Sequence, residues 1–163
     1  MNWGSMASVK KGDMGEAIVR RILSAKGLII YECRQDRGHV VDFYCQYKGR
    51  RLFAVEVKTY PRRAFYDQTG IDEADYQVYL GLLDQGVDVV IFWVDEFERG
   101  IYQNRISILK RFAQVSGGKV YFGLGAMRWV RRLTDQEVGA IRAQSVTDYA
   151  LYENTGRFFN KHK

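Results

Sequence analysis

Proline occurs once in this chain, at Pro61, and no low-complexity run accompanies it. That argues against disorder, since disordered chains are rich in proline and polar repeats. The two cysteines, Cys33 and Cys45, form no CxxC pair. With His39 and His162 they fit no familiar zinc spacing. Reduced, buried thiols in a cytosolic protein are the expectation for both. No apolar run reaches the roughly 18 residues of a membrane span. The opening stretch MNWGSMASVKKGD has no apolar signal core, so secretion is not indicated and a cytoplasmic location is expected.

What the sequence does have is core material and positive charge. Hydrophobic residues make up 47% of 163 residues, which suits one domain of ordinary size. The net charge of +6 favours a polyanionic partner. Basic residues are spread widely, however, so charge by itself does not select one.

Hydrophobic periodicity gives the order of elements. After a tail over 1–12, residues 13–27 predict a helix, with Met14, Ala17, Ile18, Ile22 and Ala25 at helical spacing. Asp13 is its expected N-cap and Gly27 its stop. Three strand-like runs follow, over 28–34, 39–47 and 51–60, with turn residues between them. A loop over 61–71 starts basic. A second helix over 72–85 has Ala74, Val78, Tyr79, Leu82 and Leu83 as its expected buried stripe. The run over 87–95 is nearly all apolar, as in a strand covered on both faces. Residues 101–109 read as a strand or a short helix, and 118–125 as a strand. Thr134 and Glu137 form a capping box before a last helix. The expected fold is one α/β domain over 13–163 with a mixed sheet, its core over 13–95 and a C-terminal extension over 96–163.

Three charged positions sit where strands should be. Asp42 lies inside a strand-like run, and aspartate is depleted in strands. Glu56 and Lys58 are two apart, so a strand puts both on one face. Two carboxylates on adjacent strands can share a divalent cation, since Mg²⁺ is held by one or two carboxylates plus water and phosphate. A cation so held activates water and stabilises charge on a phosphodiester. Whether Asp42 and Glu56 meet depends on the hairpin between them. A two-residue turn at Lys48-Gly49 puts Asp42 opposite Val55, and the carboxylates part. A three-residue loop over 48–50, or a bulge, puts Asp42 opposite Glu56. Turn chemistry does not choose between them.

The arrangement VVDF…VEVK on consecutive strands, behind a helix carrying Glu16, resembles the PD-(D/E)XK nuclease superfamily. The resemblance spans residues 13–95 and implies the restriction-endonuclease-like αβββαβ core of that superfamily. It also implies Asp42, Glu56 and the Val57 carbonyl as metal ligands, Lys58 as the catalytic lysine and Glu16 as a helix glutamate near the metal. The spacing from Asp42 to Glu56 is similar to that of archaeal Holliday-junction resolvases. Val41 replaces the superfamily's proline, and the QxxxY pattern of the RecB-like branch is missing after Lys58.

Plainer readings stand beside these. Glu56 and Lys58 could be an exposed edge pair, and Asp42 could accept hydrogen bonds from a loop. Glu16 with Asp13 completes an acidic capping box. Arg62 and Arg63 could grip phosphates or be loop charges, and Lys48 is a further candidate for nucleic-acid contact. Tyr76 and Gln77 could reach the site, though tyrosine at helical spacing suits the core. Arg128, Arg131 and Arg132 with Trp129 make either a phosphate patch or the polar face of a short helix. The expected function is a Mg²⁺-dependent endonuclease acting on DNA, with Mn²⁺ as a substitute cation and a homodimer as a possible assembly. The alternative is a catalytically silent nucleic-acid-binding module of the same fold.

Overall fold

The computed structural model describes residues 7–33, 40–63 and 65–144. His39 and His162 lie outside them. Helix α1 (Ala7–Ala25) precedes three strands, β1 (Ile29–Glu32), β2 (Phe43–Gln46) and β3 (Phe53–Thr59). Then come β4 (Gln68–Asp72), α2 (Glu73–Asp84), β5 (Val89–Asp95) and β6 (Gly100–Arg105). The short helix α3 (Ile106–Leu109) leads to β7 (Gln114–Ser116), β8 (Lys119–Gly123), β9 (Arg128–Arg132) and α4 (Asp135–Ala143).

Six strands form one mixed sheet in the order β1-β2-β3-β5-β6-β9, and β4, β8 and β7 form a second sheet. β3 and β5 run parallel, joined by the crossover that contains α2. The αβββαβ order expected of the core is therefore present, with one correction. The stretch expected as a loop over 61–71 contains β4, which leaves the main sheet to pair with β8. The ambiguous run over 101–109 is both things in turn, a strand and then a helix.

One hydrophobic cluster fills each face of the main sheet. On the α1 face, Ile18, Val19 and Leu23 pack on Phe43, Val55, Val57 and Phe92, with Ile141 of α4 beside them. On the other face, Tyr76 and Tyr79 of α2 pack with Ile91, Trp93 and the second-sheet residues Val120 and Phe122. β5 lies between the two clusters and is buried throughout, as its apolar run predicts.

Both helix stripes differ from expectation by a rotation. α1 starts at Ala7, so Asp13 is an exposed interior residue and not a cap. Ala17 and Ala25 are exposed, while Lys11 and Gly15 are buried. A Cβ on Gly15 would lie 1.8 Å from Thr59 Oγ1. Only glycine lets this helix lie so close to β3, which a hydrophobicity pattern does not register. Lys11 is buried because it pairs with the fully buried Glu96. In α2, Ala74 and Val78 face solvent, and the tyrosines Tyr76 and Tyr79 take the core. No helix among the described residues is long and apolar enough to cross a membrane.

Candidate functional site

The β2–β3 register decides whether the two carboxylates meet. Phe43 pairs with Val55, Tyr44 with Ala54 and Cys45 with Phe53. Phe43 is the last paired residue at this end; Asp42 lies just before it, close enough to Glu56 for that charge to act on its carboxyl. The β2–β3 pairing is offset by one residue from that of a simple two-residue hairpin, and the Arg50 amide donates to the Tyr47 carbonyl at 2.8 Å across a turn centred on Lys48 and Gly49. Gly49 sits inside it at φ 73°, a left-handed conformation that glycine adopts without strain. Asp42 itself precedes the first residue of β2. Its amide donates to the Val55 carbonyl at 3.1 Å, and its Oδ2 accepts from the Val57 amide at 2.6 Å.

Around this pair the polar groups converge. Glu56 is buried, and its Oε1 lies 2.7 Å from Lys58 Nζ. The Tyr79 hydroxyl hydrogen-bonds the same carboxylate. Lys58 Nζ also reaches Asp75 Oδ2 at 3.3 Å, which ties the ammonium to the first turn of α2. Tyr79 and Asp75 are site neighbours that sequence reasoning missed. A signal was available: they sit four apart on α2, and that spacing puts two side chains on one helix face. Tyr76 packs in the core against Phe122, and Gln77 is exposed.

The carboxyls of the site are both held above their ordinary range. Burial, then the charges of Glu56 and Glu16, push Asp42 up to about 8, against the opposing pull of the Val57 amide and Lys58. Burial also raises Glu56, although Lys58 and Tyr79 work the other way. Burial opposes the charge on Lys58 as well, but Glu56, Asp75 and Tyr60 outweigh it and hold the ammonium protonated above its ordinary range. Two close carboxylates in a poorly hydrated setting disfavour joint ionisation unless positive charge is supplied. Among the described residues no cluster of three or more ligating side chains occurs. Asp42 and Glu56, with a backbone carbonyl and water, are the donors that could hold a hard cation.

The remaining candidates fall into place unevenly. Glu16 is near enough to Asp42 to raise it, and also accepts from Arg20 at 3.4 Å. Arg20 lies 4.1 Å over the Phe43 ring and bonds Glu32. Arg62 is buried and holds Asp95 at 3.1 Å and Asp67 at 2.7 Å. Burial pushes the Asp95 carboxyl up to about 6 against the pull of that guanidinium. Arg62 thus anchors the chain after β3 to the end of β5. Arg63 is half-buried between aromatic rings. Lys48 is exposed in the hairpin turn. It lies six strand positions from the level of Glu56, about 20 Å at the usual rise per residue. Arg128, Arg131 and Arg132 lie on strand β9 and not on a helix, and Arg131 is bound to Glu137 at 2.7 and 2.8 Å. The Thr134–Glu137 capping box is present, with bonds of 3.2 and 3.0 Å. Cys33 and Cys45 are free thiols.

No protein-family model matches the sequence, and no curated protein matches it. Solved structures do. The Holliday junction resolvase Hjc of Archaeoglobus fulgidus superposes with a TM-score of 0.52 at 11% identity, over 71% of this chain and 86% of its own. A nuclease from a fusselovirus superposes with a TM-score of 0.52 at 10% identity, over 94% of this chain and 98% of its own. At such identities the likeness concerns the fold, and the fold is the restriction-endonuclease-like one that the VVDF…VEVK arrangement implies.

Proposed function

We propose that this chain is a metal-dependent endonuclease that hydrolyses DNA phosphodiester bonds. The observation that carries the proposal is the convergence of Asp42, held by the Val57 amide at 2.6 Å, with Glu56 and Lys58, which lie 2.7 Å apart on either side of Val57. The fold shared with two nucleases supports it. Asp42, Glu56 and the carbonyl of Val57 would hold the cation, Mg²⁺ with Mn²⁺ as substitute. That cation would supply Lewis acidity and neutralise charge at the phosphodiester.

The chain's own residues carry the rest. The Val57 amide fixes the Asp42 carboxylate, and Tyr79 fixes that of Glu56. Lys58 stays an ammonium, so it offers a fixed positive charge to the phosphate oxygens as negative charge grows on them. Glu16, on α1, adds negative charge on the Asp42 side and is a candidate partner for a water at the site. Arg63 is the candidate for phosphate contact beyond Lys58. A contact by Lys48 would fall on DNA well away from the cleaved bond.

The test is a cleavage panel of linear duplex, flap, nicked and four-way DNA with Mg²⁺, Mn²⁺ or EDTA. Cleavage with either cation and none in EDTA is expected. A protein that binds these DNAs but cuts none with either cation would establish the silent binding module instead.

A further inference from the structure

The row of side chains that carries Glu56 and Lys58 continues to Tyr60, two residues and about 7 Å further along the same side of the chain. Tyr60 opens a recess of about 330 Å³, lined by Pro61, Arg63, Lys119 and Tyr121 among others. Its floor is firm. The Tyr60 hydroxyl bonds the Gly70 carbonyl, and the Tyr121 ring lies across Gly70, where a Cβ would come within 2.7 Å of it. The Arg63 guanidinium is held between two rings, 4.3 Å from the centroid of Tyr66 and 4.3 Å from that of Tyr121. Its Nη1 donates to Gln68 at 3.2 Å, which fixes the plane. Lys119 meets Asp72 at 2.8 Å. Both partners are exposed, and such pairs contribute little, so a phosphate can compete for the ammonium.

Two rings at this edge face water. Tyr66 is 51% exposed and Phe65 is 65% exposed. Phe65 is also held at φ 68°, a left-handed conformation that disfavours a bulky side chain. Glycine would suit the backbone better, and the exposed ring gains little from burial. Strain of this kind, kept where packing gives no return, indicates a role outside the fold.

We infer that this aromatic edge is a subsite for an unpaired nucleotide of the cleaved DNA strand, its base stacked on Phe65 and Tyr66 and its phosphate met by Arg63 and Lys119. Aromatic faces interleaved with cations are the recognition chemistry of single strands, because every base has a π-face. A paired base inside a duplex has both faces covered by its neighbours. The subsite therefore favours flaps, open junctions and frayed ends over intact duplex. This inference rests on the nuclease reading above.

The test uses the full chain with Ca²⁺ in place of Mg²⁺, so that binding is read without extensive cleavage. A flap DNA carries 2-aminopurine, whose fluorescence is quenched by stacking, in its unpaired arm. The wild type is expected to quench it. The combined variant Phe65→Gly, Tyr66→Ala is expected to lose the quench and about tenfold in flap affinity, while duplex affinity is unchanged. The melting temperature of Phe65→Gly alone should not fall, because glycine accepts the left-handed backbone. Quenching that persists in the combined variant, or an equal loss on flap and duplex, overturns the subsite. The cleavage panel with Mg²⁺ separates the two readings. A protein that cleaves but shows no variant-sensitive quench retains the nuclease reading and loses the subsite. One that quenches but never cleaves retains the subsite and loses the nuclease reading.

Discussion

Asp42 accepts a 2.6 Å hydrogen bond from the amide of Val57, the residue between Glu56 and Lys58. The bond ties the carboxylate at the start of β2 to the middle of β3. It also suggests how to remove charge without removing structure. Asp42→Asn keeps an oxygen for the Val57 amide and discards the negative charge. The variant should fold normally and lose cleavage by more than about a hundredfold, since cation catalysis supplies several kcal/mol. Glu56→Ala should be equally inactive. Turnover near wild type in either purified variant would remove these residues from the metal site.

Lys58 and Asp75 make a second separable pair. Lys58→Ala is expected to lower turnover by about a hundredfold or more, in line with the loss of one transition-state charge contact. DNA affinity should be nearly unchanged. Asp75 touches Lys58 at 3.3 Å and acts through it as a positioning residue. Asp75→Asn should lower kcat by about tenfold, the scale of lost supporting contacts around a metal site, with KM unaltered. Single-turnover kinetics at saturating DNA checks both. A fall in affinity with an unchanged rate would make Lys58 only a phosphate contact.

The charge pair also sets a pH dependence for the metal-free protein. Asp42 is raised from an ordinary 3.8 to about 8 by burial and by Glu56 and Glu16. Its folded form thus holds a proton more tightly than its unfolded form. The stabilisation is complete below about pH 4 and is lost as pH rises through about 8. In EDTA the melting temperature should fall between pH 5 and pH 8.5, and Asp42→Asn should flatten that fall. Mg²⁺ at the upper pH should recover it, because a ligand bound only by the folded state stabilises by mass action. A melting temperature in EDTA that does not depend on Asp42 across this range would refute the buried-pair account.

The strand pattern carried the site, and residue type carried less of its setting. Glu56 and Lys58 share one face of β3 as a period of two requires, whereas Asp42 stood out as a charge in a β-rich run but lies just before β2 and not inside it. The register was legible only as a condition, since Gly49 suits either turn length. The spacing of Asp75 and Tyr79 puts them on one helix face, but no local pattern links that face to a strand 17 or 23 positions back. Arg62 looked like a loop cation, yet it is buried by Asp95, a charge that a nearly continuous apolar strand conceals at its end. β4 escaped notice because QTGID is short, contains glycine and pairs with β8, some 50 residues later.

The proposed activity carries an expectation about assembly. One site cuts one strand, so a pair related by a twofold axis is the simplest route to both, and twofold dimers are the commonest oligomers. Much of the apolar material after β5 serves its own chain: Ile106, Leu109, Val120 and Phe122 are buried in the second cluster. Phe112 and Trp129 remain exposed and are available to a subunit contact. Tyr149, Tyr152 and Phe158 lie outside the described residues. A homodimer is expected, and light scattering at micromolar concentration checks it. A mass near 18.9 kDa, with and without DNA, would leave a monomer that nicks.

The close approach of α1 to β3 yields a prediction about how the site is held. A Cβ on Gly15 would lie 1.8 Å from Thr59 Oγ1 and 3.0 Å from Thr59 Cβ. Gly15→Ala must therefore push the helix away from the strand, and with it Glu16. Overpacking of this kind costs about 1–3 kcal/mol, despite alanine's better helix propensity. Thr59 offers the relief. Its Oγ1 is buried without a hydrogen-bond partner among the described residues, so Thr59→Ala discards an unsatisfied group and should change stability little. The double variant should recover part of what Gly15→Ala loses, leaving a coupling energy of about 0.5–3 kcal/mol between residues in contact. Denaturant unfolding of the four proteins measures it. Additive effects would show that the helix does not rest on Thr59, and Glu16 would then owe its position to other contacts.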